Sequence, residues 1–481
     1  MEYTYVSGLE SNLESSIINN CMKNFKQYTT SRHIYLLIFV GVFFYSLVIS
    51  LIIQKVLVPT LFPSANNGLV ILDSIGFDLI AKEKASQILI NGWSSWELNP
   101  SGQLPAGIAS IFYVFFGKNP SSFLPFNAIL HSLSSCLMFG ILRKIFSVIP
   151  ALFGVIFFAV NPTSLEWVSQ IHRDGVFIFG NLLLLTGVIL VVHHVSKNKP
   201  CVCVSIFSTI AMIAGYILIF LVRPYWIDTL LIFLYIVFAM LLFGYLNNIF
   251  VSGSKRLLSY QLIPLILFFL FSNLISLSNV NSLSSLSNVN SLSSLGNVNS
   301  PSNFYNQNLN NDLVESEWIN SKWMPSFIDN KFKKLVILRR GVISTGGNSL
   351  LKDEQILNSS FTVIKYIPRA ISIGLLSPFP NLWSGKGSTP AMTIARKGMG
   401  AFTLMNYLCL IGVLFAIRHK FKNPTALLIL VFSLIGILAY SLVYPNIGSL
   451  IRFRFLFYTT LTSFGFSFWI DTLIKHYNFK S

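Results

Sequence analysis

The sequence predicts an all-α, polytopic membrane protein, a bundle of about ten transmembrane helices. Three observations carry that expectation. Charged residues make up 11% of the chain and hydrophobic ones 53%, where a water-soluble domain has roughly a quarter of its residues charged. The mean hydropathy is correspondingly positive, at +0.65. Apolar runs of bilayer-crossing length recur, beginning with YLLIFVGVFFYSLVISLII at Tyr35–Ile53. Basic residues cluster in every second gap between the runs, the pattern that fixes orientation. The formal net charge of +17 therefore belongs largely to short loops, and no nucleic-acid partner is expected.

Each element follows from length and charge. Residues 1–33 are polar and mixed in charge, without the basic start, apolar core and cleavage site of a signal peptide. They read as a cytoplasmic tail. After the first span, a loop at 57–122 lies outside. It holds LDSIGFDLIAKEKASQIL (Leu72–Leu89) and an apolar piece, Ala106–Gly117, too short to cross and so interfacial or re-entrant. Phe123–Leu142 crosses and ends in Arg143 and Lys144. Val148–Val160 returns, the loop NPTSLEWVSQIHRDG follows, and Val176–Val192 crosses again. Further spans are expected at 203–221, 226–248, 258–276, 400–417, 424–443 and 453–474. With the N-terminus inside, five clusters fall in the cytoplasm: Arg143/Lys144, Lys197/Lys199, Lys255/Arg256, Arg418/Lys420/Lys422 and Lys475/Lys480. Both termini are then cytoplasmic.

The chain so divides into a transmembrane module at 34–276, a linker at 277–303, an extracytoplasmic loop at 304–399 and a second module at 400–481. The linker repeats SNVNSLSSL at Ser278–Leu286 and Ser287–Leu295, low complexity that fits no named solenoid. In the loop, Lys331, Lys333, Lys334, Arg339, Arg340, Lys352, Lys365, Arg369, Lys386, Arg396 and Lys397 outnumber the acids. Such charge suits a solvated surface, anionic lipid headgroups or a phosphate on a lipid carrier. The cysteines, Cys21, Cys136, Cys201, Cys203 and Cys409, fall in the tail, spans or cytoplasmic turns, so no extracytoplasmic disulfide is expected. Cys201 and Cys203 lack the second pair of a metal site.

The outward polar segments hold the chemistry. The first gives Asp73 and Asp78 with Phe77 between them. The second gives Glu166, His172, Arg173 and Asp174, the third Arg223, Pro224, Tyr225 and Trp226, and the last Asn446, Arg452 and Arg454. Charges at span ends are costly enough to be functional candidates. Chemistry on a lipid-linked sugar needs these residue types. A carboxylate takes the proton of an incoming hydroxyl or amine, a second acid holds metal or substrate, and arginines grip a phosphate leaving group bidentately. Structural readings stand beside these: a helix cap for Asp73, an ion pair for Arg173 and Asp174, snorkelling for Arg452 and Arg454.

The run from Asp73 to Val192 resembles the membrane glycosyltransferases of the GT-C superfamily, in particular bacterial members akin to protein O-mannosyltransferases and aminoarabinose transferase. LDSIGFDLIA stands where that family has an acidic aromatic motif. GWSSWELNPSGQLPAGIASIFYVFFG, NAILHSLSSCLMFGILRKIF and ALFGVIFFAVNPTSLEWVSQIHRDGVFIFG follow in the family's order. The adjacent acid pair is replaced by Asp73 and Asp78, five residues apart, and the proline pair by Leu104 and Pro105.

The resemblance implies a GT-C-like bundle with juxtamembrane helices in the first loop and a long extracytoplasmic loop before the last three spans. It implies an inverting glycosyltransferase of a bacterial cytoplasmic (inner) membrane. The donor is a polyprenyl-phosphate-linked sugar and the acceptor a glycan, lipid or protein. Asp73 is then the catalytic base, Asp78 the second acid and Asp174 the second-loop acid. Arg173, Arg223, Tyr225, Arg369, Arg452 and Arg454 are assigned to substrate and phosphate on their chemistry, not on motif. The cofactor stays open, a divalent Mg or Mn ion being the candidate. Two other functions fit the composition: a polymerase or ligase of lipid-linked oligosaccharides, and a lipid or polysaccharide transporter.

Overall fold

The computed structural model describes residues 32–62, 67–197, 202–252, 265–266, 268, 317–344, 349–351, 356–385, 390–420 and 422–478. Among these every regular element is helical, and Leu350 and Asn446 make an isolated bridge. The chain divides into two units. The first comprises Met1–Ala159, Leu165–Ser285 and His419–Leu428, and the second Val160–Ser164, Leu286–Arg418 and Ile429–Ser481. The low-complexity linker, the expected span at 258–276 (three residues apart) and nearly all of the N-terminal tail lie outside the described residues.

In the first unit α1 (Arg32–Leu61) is a continuous apolar helix with a π-helical stretch at Ile53–Leu57. Its outward Leu36, Leu37, Phe44 and Val48 are exposed, as a lipid-facing flank requires. On the inward flank Ser46 hydrogen-bonds Nδ1 of His131 at 2.8 Å, joining α1 to α4 (Leu124–Leu142). Between them come two helices of the first loop, α2 (Leu72–Asn91) and α3 (Leu104–Phe116). Phe77, Ala81, Ala85 and Ile88 recur at helical spacing along α2 and are buried. The first three of these share a cluster with Ala106, Ala109 and Tyr113 of α3, Phe123 and Ile171. The alanines let the two helices pack closely. At about 1.5 Å per residue α3 reaches only about 20 Å, short of the roughly 30 Å hydrocarbon core.

After α4 the chain turns into α5 (Val148–Ala159), which bends by 57° into α6 (Pro162–Val168). The cause is local. Pro162 has no N–H to continue the ladder, and the Asn161 carboxamide accepts the Thr163 N–H at 3.0 Å. The expected straight span at 148–160 is thus one arm of a bent pair, with the geometry of a broken span or a re-entrant loop. Then follow α7 (Asp174–Lys197), α8 (Val202–Val222) and α9 (Ile227–Ser252). Helices α7 and α8 meet at glycines: a Cβ on Gly215 would stand 2.5 Å from the Gly180 carbonyl oxygen. Small residues at the contact are how helices approach in lipid, where apolar burial gives no preference for protein over acyl chain.

The second unit contains α10 (Ser326–Ser344), α11 (Ser360–Leu376), most of α12 (Pro390–Lys420) and of α13 (Pro424–Val443), and α14 (Ile447–Asn478). Seven helices among the described residues, α1, α4, α7, α8, α9, α12 and α13, are long and apolar enough to cross a membrane, or eight if the bent α5–α6 pair counts as one span. The protein is a multi-pass membrane protein. The expected span at 453–474 falls within α14, which is not among them. Its middle buries hydroxyls (Thr459, Thr460, Thr462, Ser463, Ser467) beside Arg454, so its inward flank is too polar for it to read as a span by apolarity.

Gly68 and Gly92 both have positive φ, but only at Gly68 is there no room for a side chain: its Cβ would lie 2.2 Å from the Gln54 carbonyl oxygen. Gly92→Ala is expected to cost about 1–3 kcal/mol of backbone strain, and Gly68→Ala that strain plus the clash. In detergent micelles Gly68→Ala should have the lower thermal unfolding midpoint. Equal midpoints would refute the close approach of Gly68 to Gln54.

Candidate functional site

Three side-chain amides hold the loop that leads into α7. Asn127 of α4 donates Nδ2 to the carbonyl oxygens of Gln170 at 2.7 Å and Val168 at 2.9 Å. Gln54 of α1 donates to the Ser169 carbonyl at 3.2 Å and accepts from the Ser121 hydroxyl at 2.7 Å. Gln170 reaches the other way, donating to the Gly68 carbonyl at 3.0 Å and accepting the Val70 N–H at 3.1 Å. The approaches to α2 and α7 are thereby tied together, so Asp73 and Arg173, a hundred residues apart in sequence, share one neighbourhood.

Arg173 is its centre. The guanidinium is half-buried and lies over the Phe77 ring, 5.3 Å from the centroid. Asp73, Asp174, Arg223 and Tyr225 all lie within electrostatic reach of it. Burial and then the Arg223 charge draw its pKa below the ordinary arginine value, while Asp73, Tyr225 and Asp174 oppose them; an arginine still keeps its proton at any working pH. Asp73 is exposed, in the first turn of α2, and Tyr225 is exposed as well.

Asp174, the first residue of α7, is buried. One carboxylate oxygen accepts from Nη2 of Arg223, and the other is 2.9 Å from Nδ1 of His172. Arg223 is buried too, with its guanidinium 4.4 Å from the centroid of the Phe177 ring. One oxygen of Asp174 therefore serves Arg223, and Nδ1 of His172 also accepts the Asp174 N–H at 3.3 Å.

Asp78 differs from Asp73 although both belong to α2. It is buried, accepts from the Tyr113 hydroxyl and is paired with Lys82 at 2.6 Å. Burial, and then Asp78 itself, raise the Tyr113 pKa well above the ordinary tyrosine value, so the hydroxyl stays a donor. The N-cap of α2 is Ile71 and no side chain caps it. Asp73 thus lies on the regular helix, about 140° around it from Asp78. The capping geometry that would aim both acids at one site is not adopted; Asp78 faces α3.

The other expected residues belong to the second unit. Arg369 is exposed on α11, and Arg452 is half-buried with its guanidinium 5.4 Å from the Phe453 ring centroid. Arg454 is buried and donates to the carbonyl oxygens of Ile373, Gly374 and Ser377, where α11 ends. Cations belong at helix C-termini, so this guanidinium caps α11 from α14. It also borders a small recess lined by Thr403, Asn406, Phe402, Phe455 and Tyr458.

Among the described residues no group of three or more His, Cys, Asp or Glu side chains is placed to hold a metal ion. Of the carboxylates around Arg173, Asp174 is taken by Arg223 and His172. No protein-family model matches the chain, and no curated protein matches it.

Sequence reasoning missed Gln54, Asn127, Gln170 and Tyr113. The first two carried a signal, an amide inside an apolar run, which lipid tolerates only where a partner exists. Nothing local marked Tyr113, because its partner Asp78 lies on another helix.

Asp174→Asn should leave Arg223 buried without its counter-charge, at a cost of about 3–5 kcal/mol. The double substitution Asp174→Leu with Arg223→Met removes both charges and should unfold at a higher temperature than Asp174→Asn in the same micelles. The reverse order would show that the pair is not structurally coupled.

Proposed function

We propose that this protein is an integral-membrane glycosyltransferase of the inverting type, using a sugar carried on a polyprenyl phosphate at the extracytoplasmic face of a bacterial cytoplasmic membrane. The observation that carries the reading is the placement of one exposed carboxylate, Asp73, within reach of a half-buried guanidinium, Arg173, backed by Phe77. In such a transfer the acceptor hydroxyl attacks the anomeric carbon while Asp73 takes its proton. The bond from that carbon to the phosphate oxygen breaks on the opposite face, and the phosphate leaves with the electron pair. Arg173 receives the growing charge through paired N–H donors, which count for more in a partly desolvated site. Arg223 adds positive potential from behind, and its pairing with Asp174 keeps it there.

The assignment divides the acids by role. Asp73 does the chemistry, Asp78 fastens α2 to α3, and Asp174 fixes Arg223. Tyr225, exposed beside Arg173, contacts the donor. Arg454 shapes the end of α11.

Asp73→Asn should lower sugar transfer from a polyprenyl-phosphate donor in membrane vesicles by about 100-fold or more, without shifting thermal unfolding. Asp78→Asn should do the reverse, shifting unfolding more than turnover. Arg173→Lys keeps the charge, loses the bidentate geometry and should raise KM for the donor. Full activity in the Asp73→Asn protein would dispose of this site.

A further inference from the structure

Helices α10 and α11 are not among the helices able to cross a membrane, yet their outward faces are not those of a water-facing surface. Inward, α10 buries Asp329, Val336 and Arg339, and α11 buries Val363, Tyr366, Ala370, Ile373 and Gly374. Outward, Phe327, Lys331, Lys334 and Leu338 form one exposed stripe along α10, at steps of four, three and four. Phe361, Ile364, Lys365, Pro368, Arg369 and Leu376 form the equivalent stripe on α11. The apolar members are well exposed, Phe327 at 66%, Leu338 at 59% and Phe361 at 61%, and Trp323 just ahead of α10 is at 61%.

No acid interrupts either stripe. The one acidic residue of α10, Asp329, points inward and accepts from the Trp318 indole at 2.9 Å and from the Ser360 hydroxyl, while α11 has none. The depth of the pair is set by α13. Arg339 donates Nη1 to the Leu442 carbonyl at 3.1 Å, at the end of that span, and Nη2 to the Tyr366 hydroxyl at 2.9 Å. Gly374 packs against Ile437 and Ser441 of the same helix. Both helices therefore lie beside the last turns of a membrane span, at the level where it leaves the hydrocarbon.

We propose that this face docks anionic phospholipid headgroups of the surrounding bilayer. Interfacial helices combine these features: apolar side chains that enter the acyl boundary, and lysines that meet headgroup phosphates. Trp323 is the kind of side chain that settles at that level. A second copy of the chain fits less well, because a two-fold contact through this face would set its cations against the same cations. A free phosphate ion fits less well too, since the lysines are spread over two helices and do not converge.

The test uses the purified full-length chain in neutral detergent, with binding of phosphatidylglycerol and phosphatidylcholine of matched acyl chains read by native mass spectrometry. Wild type should prefer phosphatidylglycerol by about tenfold, and the preference should fall as ionic strength rises. Lys331→Gln/Lys334→Gln/Lys365→Gln should bring the two lipids to parity, while the corresponding three Arg substitutions keep the preference. Equal binding by wild type overturns the proposal, as do a preference retained by the glutamine variant, displacement of lipid by inorganic phosphate, and a dimer lost in that variant. If the glutamine variant does not fold, the wild-type salt series decides, and a preference that does not change with salt overturns the proposal.

Discussion

A carbonyl oxygen at a broken helix end has little water to turn to near the bilayer, and leaving it unpaired costs about 1–3 kcal/mol. Much of this structure answers that constraint with side-chain donors sent from other elements. Asn127 and Gln54 supply the loop before α7. Arg339 supplies the end of α13 and Arg454 the end of α11. Each donor comes from far along the chain, so each bond satisfies a carbonyl and also fixes one element against another.

The neighbourhood of Arg173 exists because of those bonds. Gln170 ties residues 68–70 to the loop that Asn127 and Gln54 hold, and the start of α2 is carried to the start of α7. Electrostatics then sort the charges. The pair most deeply buried, Asp174 and Arg223, is matched internally, as buried charges must be. The Asp73 carboxylate is exposed, and the Arg173 guanidinium within its electrostatic reach is half-buried. The same division separates the arginines of the second unit, where the buried Arg339 and Arg454 cap helix ends and Arg369 is exposed.

Legibility in the sequence followed the range of the interaction involved. The apolar runs gave the class and most of the spans, since crossing a bilayer depends on length and composition alone. Ala106–Gly117 was recognisable as a helix too short to cross for the same reason. The run Val148–Val160 is hardly longer than Ala106–Gly117, and it reads as a straight span only from the alternation of basic clusters, which carries no sign of the bend at Pro162. In α14 buried threonines and serines lower the apolarity of the expected span at 453–474, so it is not among the helices long and apolar enough to cross.

By itself the sequence determined that this is a helical, multi-pass membrane protein and which segments between the apolar runs carry its charges, because hydrophobicity and charge are properties of each stretch alone. Only the tertiary structure decided which charges act together. It turned Asp78 to Tyr113 and Lys82, closed Asp174 on Arg223, bent Arg454 onto the end of α11 and left Asp73 near Arg173. Apart from Lys82, four residues along the same helix, those outcomes depend on partners dozens of residues away, and on the rotation of α2 that sends two acids, five positions apart, to different faces.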